Sequence, residues 1–491
     1  MDYAFGIDIG TGSVKGVAVR PNGNPFAADQ QLYSYSSPKP GYHEQDPEQI
    51  WEAFHAACKR IVEKTGHQPK SVGLSSAMHS LIPVDEHCRA LAPMMTWADS
   101  RSFEVAKKLR ATKEGRAIYR ATGTPLHAMS PLCKLIWLKS HEKRVFNKAA
   151  KFISIKEYIW YRLFNEFVVD HSLASGTGLF DIVKLKWHPE SLAMAGITAD
   201  RLSRPEPTFY TRHCKTDELF GTGTPITIGA GDGCLANLGS QADKPGIAAI
   251  TIGTSGAVRV ASNKPLPNTK AMTFSYILDT NTYICGGPVN NGGIAMQWWV
   301  KNFSGSSHGS YLYNKIFEEV AQAPPGSDGL LFLPYLTGER APIWDSESCG
   351  NFFDVKLRHT HAHFSRAVME GICFALKDVL QAVEKNAGSI KQINVSGGFV
   401  TSRVWVQALA DITNKTLAVV QADDASAVGA AFMALKATGL ADDYPVPSGH
   451  RQQLFRPVSE NAKLYDKQFG IFRQLYTDLK KTMQTVSGLN S

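Results

Sequence analysis

At 491 residues the chain is longer than a single hydrophobic core supports, so two domains are expected. Its composition, with 43% hydrophobic and 20% charged residues, no apolar run long enough to cross a bilayer and no leader sequence at Met1, predicts a cytoplasmic protein without a membrane partner. The net charge of +8 comes from dispersed lysines and arginines, and the eight cysteines form no C-x-x-C pair, which argues against nucleic-acid binding, zinc and disulfides and predicts reduced thiols.

The first predicted element is an apolar strand over residues 4–9 that ends in a glycine-rich hairpin. Glycines allow the backbone to approach an anion, hydroxyl side chains add donors, and a lysine adds positive charge. Asp8, near the end of the strand, is placed to hold a hydrated Mg²⁺ ion. A structural turn between two strands has the same local sequence, so the interpretation depends on the rest of the chain. The candidate nucleotide-phosphate ligands are Gly10, Thr11, Gly12, Ser13 and Lys15.

A helix is predicted to begin after Asp46, because Asp46 is a capping residue, Pro47 suits the first helical position and Gln49 the capping-box position. Apolar residues then recur at helical spacing. Strands are predicted over 71–75 and 81–84. This alternation of helix and strand indicates an α/β sheet.

Two polar segments, residues 75–80 and 96–101, combine hydrogen-bonding side chains with apolar and aromatic faces. Such mixed sets are typical of sites that bind polyhydroxylated ligands. Read individually, Met78 and Trp97 also suit a hydrophobic core, and Asp99 with Arg101 suits a surface ion pair of little energetic value. The candidate substrate ligands are Met78, His79, Trp97, Asp99 and Arg101.

A second glycine-punctuated strand, over residues 226–231, leads to Asp232. Phosphoryl transfer to an alcohol needs a carboxylate positioned to accept the hydroxyl proton, and α/β sheets bind ligands at the carboxyl ends of their strands. Asp232 is therefore the candidate general base, and it is also a candidate substrate and metal ligand. The structural alternative is an aspartate in an Asp-Gly turn.

A third strand, over residues 246–252, ends in Gly-Thr-Ser-Gly and is similar to the first hairpin. We interpret it as the opening of a second domain on the same plan, which divides the chain into domains 1–243 and 244–491. Two such hairpins could grip a polyphosphate from both sides, and the alternative is again two structural turns. The candidate phosphate ligands here are Gly253, Thr254 and Ser255.

Farther along, the sequence Ser396-Gly397-Gly398-Phe399 would let an adenine or ribose lie against the backbone, although Gly-Gly also marks ordinary tight turns. Gly397 and Gly398 are therefore candidate adenosine ligands. The predicted elements around them are a helix over 362–386, a strand over 393–395, a helix from Ser402 and a final helix over 461–485.

In this order the motifs resemble those of the FGGY family of carbohydrate kinases, over nearly the whole chain. The resemblance implies two actin-like, ribonuclease-H-like ATPase domains of α/β fold with an interdomain cleft, and it implies ATP and Mg²⁺ as cofactors. Residues 129–141 and 350–370 are similar to two family signatures, from which Ser140 and Asp354 depart. The phosphate, catalytic and adenosine motifs that carry the resemblance are Asp8-Ile9-Gly10-Thr11, Gly229-Ala230-Gly231-Asp232-Gly233, Thr251-Ile252-Gly253-Thr254-Ser255-Gly256 and Ser396-Gly397-Gly398.

Within this family the chain looks most like the gluconate kinases, for example in segments 75–80, 286–293 and 338–342. The resemblance implies transfer of a phosphoryl group from ATP to D-gluconate, giving 6-phospho-D-gluconate, with Asp232 as the base. The alternative acceptor is xylulose or another pentulose or polyol, and a remote alternative is a non-catalytic actin-like ATP-binding protein. A homodimer is left open. The cationic candidates for holding the gluconate carboxylate are His79, Arg101 and Arg340.

Overall fold

The structure is a computed structural model that describes residues 2–216, 218–303, 316–420, 424–447 and 452–489. The chain forms two compact units. The first comprises Met1–Asp243, Ala261–Cys285 and Asp423–His450. The second comprises Lys244–Val260, Gly286–Ala422 and Arg451–Ser491.

The strands alternate with helices along the chain, as the predicted α/β class requires. They are β1 (Ala4–Ile9), β2 (Ser13–Val19), β3 (Pro25–Leu32), β4 (Glu44–Gln45), β5 (Ser71–Ser76), β6 (Ile82–Val84), β7 (Met94–Met95), β8 (Lys151–Ile153), β9 (Val168–Asp170), β10 (Phe180–Asp181), β11 (Lys186–Trp187), β12 (Arg204–Glu206), β13 (Thr211–His213), β14 (Pro225–Gly231), β15 (Ile247–Ile252), β16 (Gly256–Ser262), β17 (Phe274–Asp279), β18 (Thr282–Val289), β19 (Leu331–Leu333), β20 (Asn351–Phe353), β21 (Gln392–Ser396), β22 (Thr416–Val419) and β23 (Gln453–Phe455).

The helices include a long one in the second unit and another at the end of the described chain. They are α1 (Pro47–Thr65), α2 (Phe103–Ala111), α3 (Lys113–Thr122), α4 (Pro131–His141), α5 (Lys143–Lys148), α6 (Ile155–Phe164), α7 (His171–Ser175), α8 (Pro189–Ala195), α9 (Asp232–Gly239), α10 (Gly293–Phe303), α11 (His361–Ala387), α12 (Arg403–Thr413), α13 (Ala425–Ala437) and α14 (Ser459–Leu489). Short 3₁₀ turns lie at Ala199–Arg201, Ser327–Gly329 and Gly398–Thr401, and residues 316–320 are also helical.

The central sheet of the first unit has the strand order β13-β14-β5-β1-β2-β3. Strand β1 pairs antiparallel with β2 and parallel with β5, and β5 pairs parallel with β14. Side chains of β1 alternate between two hydrophobic clusters, with Phe5 and Ile7 in the cluster that includes α1 and Ala4 in the cluster that includes α9 and α13. The sheet is therefore covered on both faces, and the carboxyl ends of β1, β5 and β14 lie side by side.

The second unit repeats this plan. Strand β15 pairs antiparallel with β16 and parallel with β21, as β1 does with β2 and β5. The order β16-β15-β21-β22-β23 continues with a parallel pair and an antiparallel edge. The prediction of a second hairpin on the same strand plan is confirmed.

The end signals read in the sequence have physical counterparts. The Asp46 carboxylate accepts the amide N–H of Glu48 at 2.9 Å, and Pro47 is the first residue of α1. Gln49, at the capping-box position, accepts a hydrogen bond from the Ser34 hydroxyl instead. The final helix extends beyond its predicted bounds of 461–485 by a few residues at each end, and Tyr465, Phe469 and Phe472 bury one face of it.

All eight cysteines lie within the described residues and are thiols, and six of them are buried. Burial is the environment predicted for most of them. Among the described residues, no helix combines the length and the apolar character that crossing a bilayer requires.

Candidate active site

The first hairpin is held in shape by one hydrogen bond within its turn and by two from distant side chains. The amide N–H of Gly10 donates to the carbonyl of Ser13 at 3.0 Å, which closes the turn between β1 and β2. The Tyr33 hydroxyl donates to the carbonyl of Gly10, and the Gln45 side chain donates to the carbonyl of Thr11 at 2.6 Å. The backbone of the hairpin is thus fixed by its own turn and by two distant side chains.

The hydroxyl side chains of the hairpin differ in their surroundings. Ser13 is buried and its hydroxyl accepts a hydrogen bond from Gln30 at 2.9 Å, so it supports the turn. The Thr11 hydroxyl accepts the indole N–H of Trp97 at 2.8 Å. That bond joins the predicted phosphate hairpin to one of the predicted substrate segments, while Gly12 at the tip is exposed.

Three carboxylates and a lysine gather beside this hairpin. The Ser75 hydroxyl donates to Asp8 at 2.6 Å. Burial, and next the negative charge of Asp232, raise the pKa of Asp8 to about 7, although Ser75 and Lys15 oppose the shift. Lys15 forms an ion pair with Asp424 at 2.8 Å. Sequence reasoning missed Asp424, whose only local signal is an acidic doublet directly before α13.

Asp232 is the first residue of α9, where the buried strand β14 ends. One of its carboxylate oxygens accepts the amide N–H of Gly233 at 2.6 Å. The positive end of a helix dipole favours the ionised form of a carboxylate, which is the form that accepts a proton. The sequence also allowed Asp232 to be a purely structural residue of an Asp-Gly turn. In the structure Asp232 begins a helix instead, and this position is compatible with a chemical role.

Met78 lies against the residue that precedes Asp232. A Cβ atom added to Gly231 would come within 2.7 Å of Met78 Cγ, and one added to Gly176 would come within 2.6 Å of Met78 Cε. Met78 also belongs to a hydrophobic cluster of the first unit. Its side chain therefore connects the end of β14 with the turn after α7, and it is a core residue as well as a candidate ligand.

His79 is fixed on both ring nitrogens. It has a positive φ of 67°, its Nδ1 lies 2.8 Å from the carbonyl oxygen of Gly176, and its Nε2 lies 3.3 Å from the hydroxyl of Tyr276. Because a carbonyl oxygen only accepts, Nδ1 carries the hydrogen and Nε2 of the neutral ring is the acceptor. Tyr276, on β17, was missed because the sequence places it almost two hundred residues from His79.

Lys134 connects the two predicted substrate segments. Its ammonium group donates to the carbonyls of His79 at 2.6 Å and Thr96 at 2.7 Å, and its side chain is completely buried. Burial lowers the pKa of Lys134 to about 7. The sequence named Lys134 only as part of a family signature, and the structure shows which backbone atoms it holds.

Arg101 is enclosed by partners of its own. Its guanidinium donates to Asp99 at 2.7 Å and Glu44 at 2.6 Å and lies 3.6 Å over the ring of Tyr42. Its side chain is only 6% exposed, so this is a buried ion pair and not the surface pair considered from the sequence. Asp99 also accepts the amide N–H of His43 at 2.9 Å. The structure places both residues in the support of the segment.

In the second unit, a cavity of about 510 Å³ lies at the carboxyl end of β15. The predicted residues Gly253, Thr254 and Gly398 line it, together with Ile252, Gly293 and Phe399 of the quoted motifs and segments. The other lining residues, which the sequence did not single out, are Met296, Gln297, Phe317, Thr401 and Trp405. An apolar and aromatic lining with a few polar groups is typical of a site that binds a small molecule or a cofactor.

Three other predicted residues of the second unit contact the protein backbone. Ser255 closes its hairpin by accepting the amide N–H of Gly253 at 2.9 Å. Gly397 has φ of 107°, and a Cβ atom there would lie 2.3 Å from the carbonyl oxygen of Ile252, so only glycine fits. Arg340 is buried and donates to the carbonyl of Val289 at 3.1 Å.

At one matched position the two units differ in the chemical type of the side chain, a carboxylate in one and a hydroxyl in the other. Asp8 of β1 lies opposite Ser75 of β5, and Thr251 of β15 lies opposite Ser396 of β21. In the second unit this pair is two hydroxyls 3.2 Å apart, whereas the first unit has a carboxylate. Repetition of the strand plan thus leaves the carboxylate chemistry in the first unit.

Comparison with known proteins adds to this geometry. A sequence model described as the N-terminal domain of the FGGY family of carbohydrate kinases matches residues 3–239, and one for the C-terminal domain matches residues 248–438. A gluconokinase of Bacillus subtilis is 40% identical over 96% of this chain and 95% of its own.

Two solved structures from Lactobacillus acidophilus are similar over the whole chain. A gluconate kinase has a TM-score of 0.92 at 32% identity and covers 97% of this chain and 98% of its own. A ligand-bound xylulose kinase has a TM-score of 0.94 at 32% identity and covers 99% and 100%. The backbone is therefore common to enzymes with different acceptors.

Proposed function

Since the chain belongs to the FGGY family of carbohydrate kinases, as its motifs predicted, we propose that it transfers the γ-phosphoryl group of ATP to D-gluconate and forms 6-phospho-D-gluconate. The observation that supports this acceptor is the 40% identity to a gluconokinase over almost the full length of both chains. The fold alone favours neither gluconate nor xylulose.

Asp232 is the proposed general base. It follows the carboxyl end of a buried strand and begins α9, where its carboxylate accepts the amide N–H of Gly233. The terminal hydroxyl of the acceptor would give its proton to Asp232 as its oxygen forms a bond to the γ-phosphorus and the bond to ADP breaks. Exclusion of water from this carboxylate would prevent hydrolysis of ATP.

Asp8 and Asp232 fit a divalent cation. Without a cation their mutual repulsion contributes to the raised pKa of Asp8, so a positive ion between them would relieve an unfavourable interaction. Mg²⁺ is commonly held through one or two carboxylates, waters and substrate phosphates, and no larger ligand cluster is required. When bound, Mg²⁺ would neutralise phosphate charge, while the hairpin around Thr11 would orient the phosphates.

His79 is the proposed contact for the gluconate carboxylate. Arg101 already has two carboxylate partners and an aromatic ring around its guanidinium, so it offers little to a second anion. His79 is held in a sparsely populated backbone conformation, with Nε2 and the hydroxyl of Tyr276 side by side. These two groups can both donate to a carboxylate when the imidazole is protonated.

The acceptor is tested by measuring ADP release with gluconate, xylulose, ribulose and glycerol. We expect kcat/KM for gluconate to exceed that for every ketose or polyol by about 10²-fold or more, because a site that pairs polar groups with a carboxylate leaves them unsatisfied by other ligands. Preferential turnover of xylulose would contradict the gluconate assignment and leave the kinase assignment in place. We place the reaction in the cytoplasm, where thiols such as these stay reduced.

The cavity of the second unit is the proposed adenosine site, and its residue Gly398 offers a test. A Cβ atom added to Gly398 meets no atom within 4 Å, so Gly398→Val should fold normally while its methyl groups occupy the cavity. We expect KM for ATP to rise about 10-fold, with little change in KM for gluconate.

The matched control is Gly470→Val in α14, where an added Cβ atom also meets nothing within 4 Å but no cavity residue is altered. Its KM for ATP should equal that of the parent. An equal rise in both variants, or in neither, would contradict the adenosine assignment.

A further inference from the structure

An ion pair of the first unit is buried beneath the strand that leads to Asp232. Lys156, on α6, and Asp170, at the end of β9, have side chains that are 1% and 0% exposed, and Nζ lies 2.8 Å from a carboxylate oxygen. Burying two charges is costly, and such a pair is often replaceable by apolar residues without loss of stability. Stability alone is therefore a weak reason for its presence.

The ammonium group of Lys156 also holds the backbone of β14. It donates to the carbonyl of Ile228 at 3.1 Å and to that of Ala230 at 2.8 Å. Between these two residues Gly229 has φ of 70°, and the register with β5 shifts between Thr227 and Ala230. Lys156 thus binds the carbonyls on both sides of an irregularity in the strand.

The irregularity is required by the packing of the strand. A Cβ atom on Gly229 would lie 1.8 Å from the carbonyl oxygen of Leu74, so β14 passes directly against β5 at this point. Its backbone can follow this path because glycine adopts a positive φ. The bend sets the direction in which the strand delivers the next residues.

Asp170 extends the same support to the following N–H group. Its carboxylate caps α7 by accepting the amide N–H of Leu173 at 2.9 Å. In the first turn of that helix, the hydroxyl of Ser172 accepts the amide N–H of Gly231 at 3.1 Å. The peptide bond between Ala230 and Gly231 is therefore held at its oxygen by Lys156 and at its nitrogen by Ser172.

The carbonyl of Asp232 itself is held as well, since it accepts a hydrogen bond from the Ser426 hydroxyl at 3.1 Å. We propose that Lys156 and Asp170 are positioning residues for phosphoryl transfer, which fix the Ala230–Gly231 peptide, one residue before Asp232, so that the carboxylate of Asp232 meets the acceptor hydroxyl in the reactive orientation. This inference rests on the proposed role of Asp232 as the base. A misplacement of about 1 Å costs on the order of 10²-fold in rate, so such support is of catalytic value.

The test removes the charges together. Lys156→Met alone would leave the Asp170 carboxylate buried without its partner, whereas Lys156→Met with Asp170→Asn leaves a neutral pair, and an asparagine oxygen still caps α7. For the double variant we expect kcat to fall about 10-fold or more while KM for gluconate and for ATP stays within about twofold of the parent.

The control is a second buried pair, Arg366 and Glu370, with a separation of 2.7 Å and side chains 7% and 2% exposed. Neither residue is assigned to catalysis or binding. Arg366→Met with Glu370→Gln should change the melting temperature about as much as Lys156→Met with Asp170→Asn does. Unlike that variant, it should leave kcat within about twofold of the parent. A purely structural role of Lys156 and Asp170 predicts the same behaviour for both double variants.

A smaller change covers the case in which the double variant does not fold. Ser172→Ala removes the acceptor of the Gly231 N–H without burying a charge, and we expect kcat to fall about fivefold with KM unchanged. An unchanged kcat in Lys156→Met with Asp170→Asn overturns the proposal, and so does a rise in KM without a change in kcat. If that variant does not fold, an unchanged kcat in Ser172→Ala overturns the proposal. Turnover of gluconate by the parent in the same assay reports separately on the proposed function, and the ratio of variant to parent is measured with whichever sugar the parent phosphorylates.

Discussion

Asp232→Asn is expected to lower kcat for sugar phosphorylation by about 10²- to 10⁴-fold, the usual contribution of a positioned general base. The amide is nearly isosteric with the carboxylate, and its oxygen can still accept the N–H of Gly233, so the start of α9 should be preserved. What the amide cannot do is accept a proton from an attacking hydroxyl. The measurement is ADP release under saturating gluconate and ATP, together with calorimetric titration of ATP in the absence of sugar.

The matched control is Asp200→Asn, an exposed aspartate in a short 3₁₀ turn of the same unit. It makes the same chemical change on the surface and should keep the parental kcat. When Mg²⁺ is left out of the titration, the ATP affinity of Asp232→Asn should stay near that of the parent, because the proposed adenosine cavity belongs to the second unit. Turnover close to the parental rate would remove Asp232 from the role of base.

The elements predicted well are those whose signals are local. The strand before Gly10, the helix capped by Asp46 and the strand that leads to Asp232 each combine periodic apolar residues with an end signal, and all three are observed. The second hairpin was predicted because it repeats the sequence of the first, and the paired strands β15, β16 and β21 repeat the strand plan. Local patterns therefore predicted the class of fold and its internal repetition.

What the sequence could not predict is the set of partners that the fold brings together from distant positions. Arg101 was a candidate anion ligand because its charge is visible, but Glu44 and Tyr42, which enclose it, lie about sixty residues earlier. Tyr276 beside His79 was missed for the same reason, and the contact of Lys156 with the backbone of β14 was not predicted. No periodicity in a single chain indicates which buried lysine meets which carbonyl oxygen.

The identity of the phosphoryl acceptor also could not be predicted from local sequence patterns. Met78 is at once a core residue and a candidate ligand, since its side chain packs between two glycine positions next to Asp232. A substitution that alters this packing would change substrate affinity and stability together. The family resemblance, and not the spacing of residues, is what indicated gluconate.

Asp8→Asn is expected to separate activity from stability. Burial and the charge of Asp232 raise the pKa of Asp8 to about 7, whereas an aspartate in an unfolded chain titrates near a pKa of about 4. Between these pH values the folded protein keeps a proton that the unfolded chain has released, so the free energy of unfolding falls as the pH rises toward 7 and stays lower above it. Asparagine cannot ionise, and the Ser75 hydroxyl can still donate to its side-chain oxygen.

At pH 8 and without nucleotide or Mg²⁺, Asp8→Asn should therefore be more stable than the parent by on the order of 2 kcal/mol, and the difference should vanish near pH 4. In the assay the same variant should lose about 10²-fold or more in kcat, because a cation would have only one of its two carboxylates. Denaturant titrations at both pH values measure the first effect, and the dependence of kcat on Mg²⁺ concentration measures the second. A variant that is no more stable than the parent at pH 8 would show that ionising Asp8 costs the folded protein nothing, and the raised pKa on which the argument for a cation rests would lose its basis.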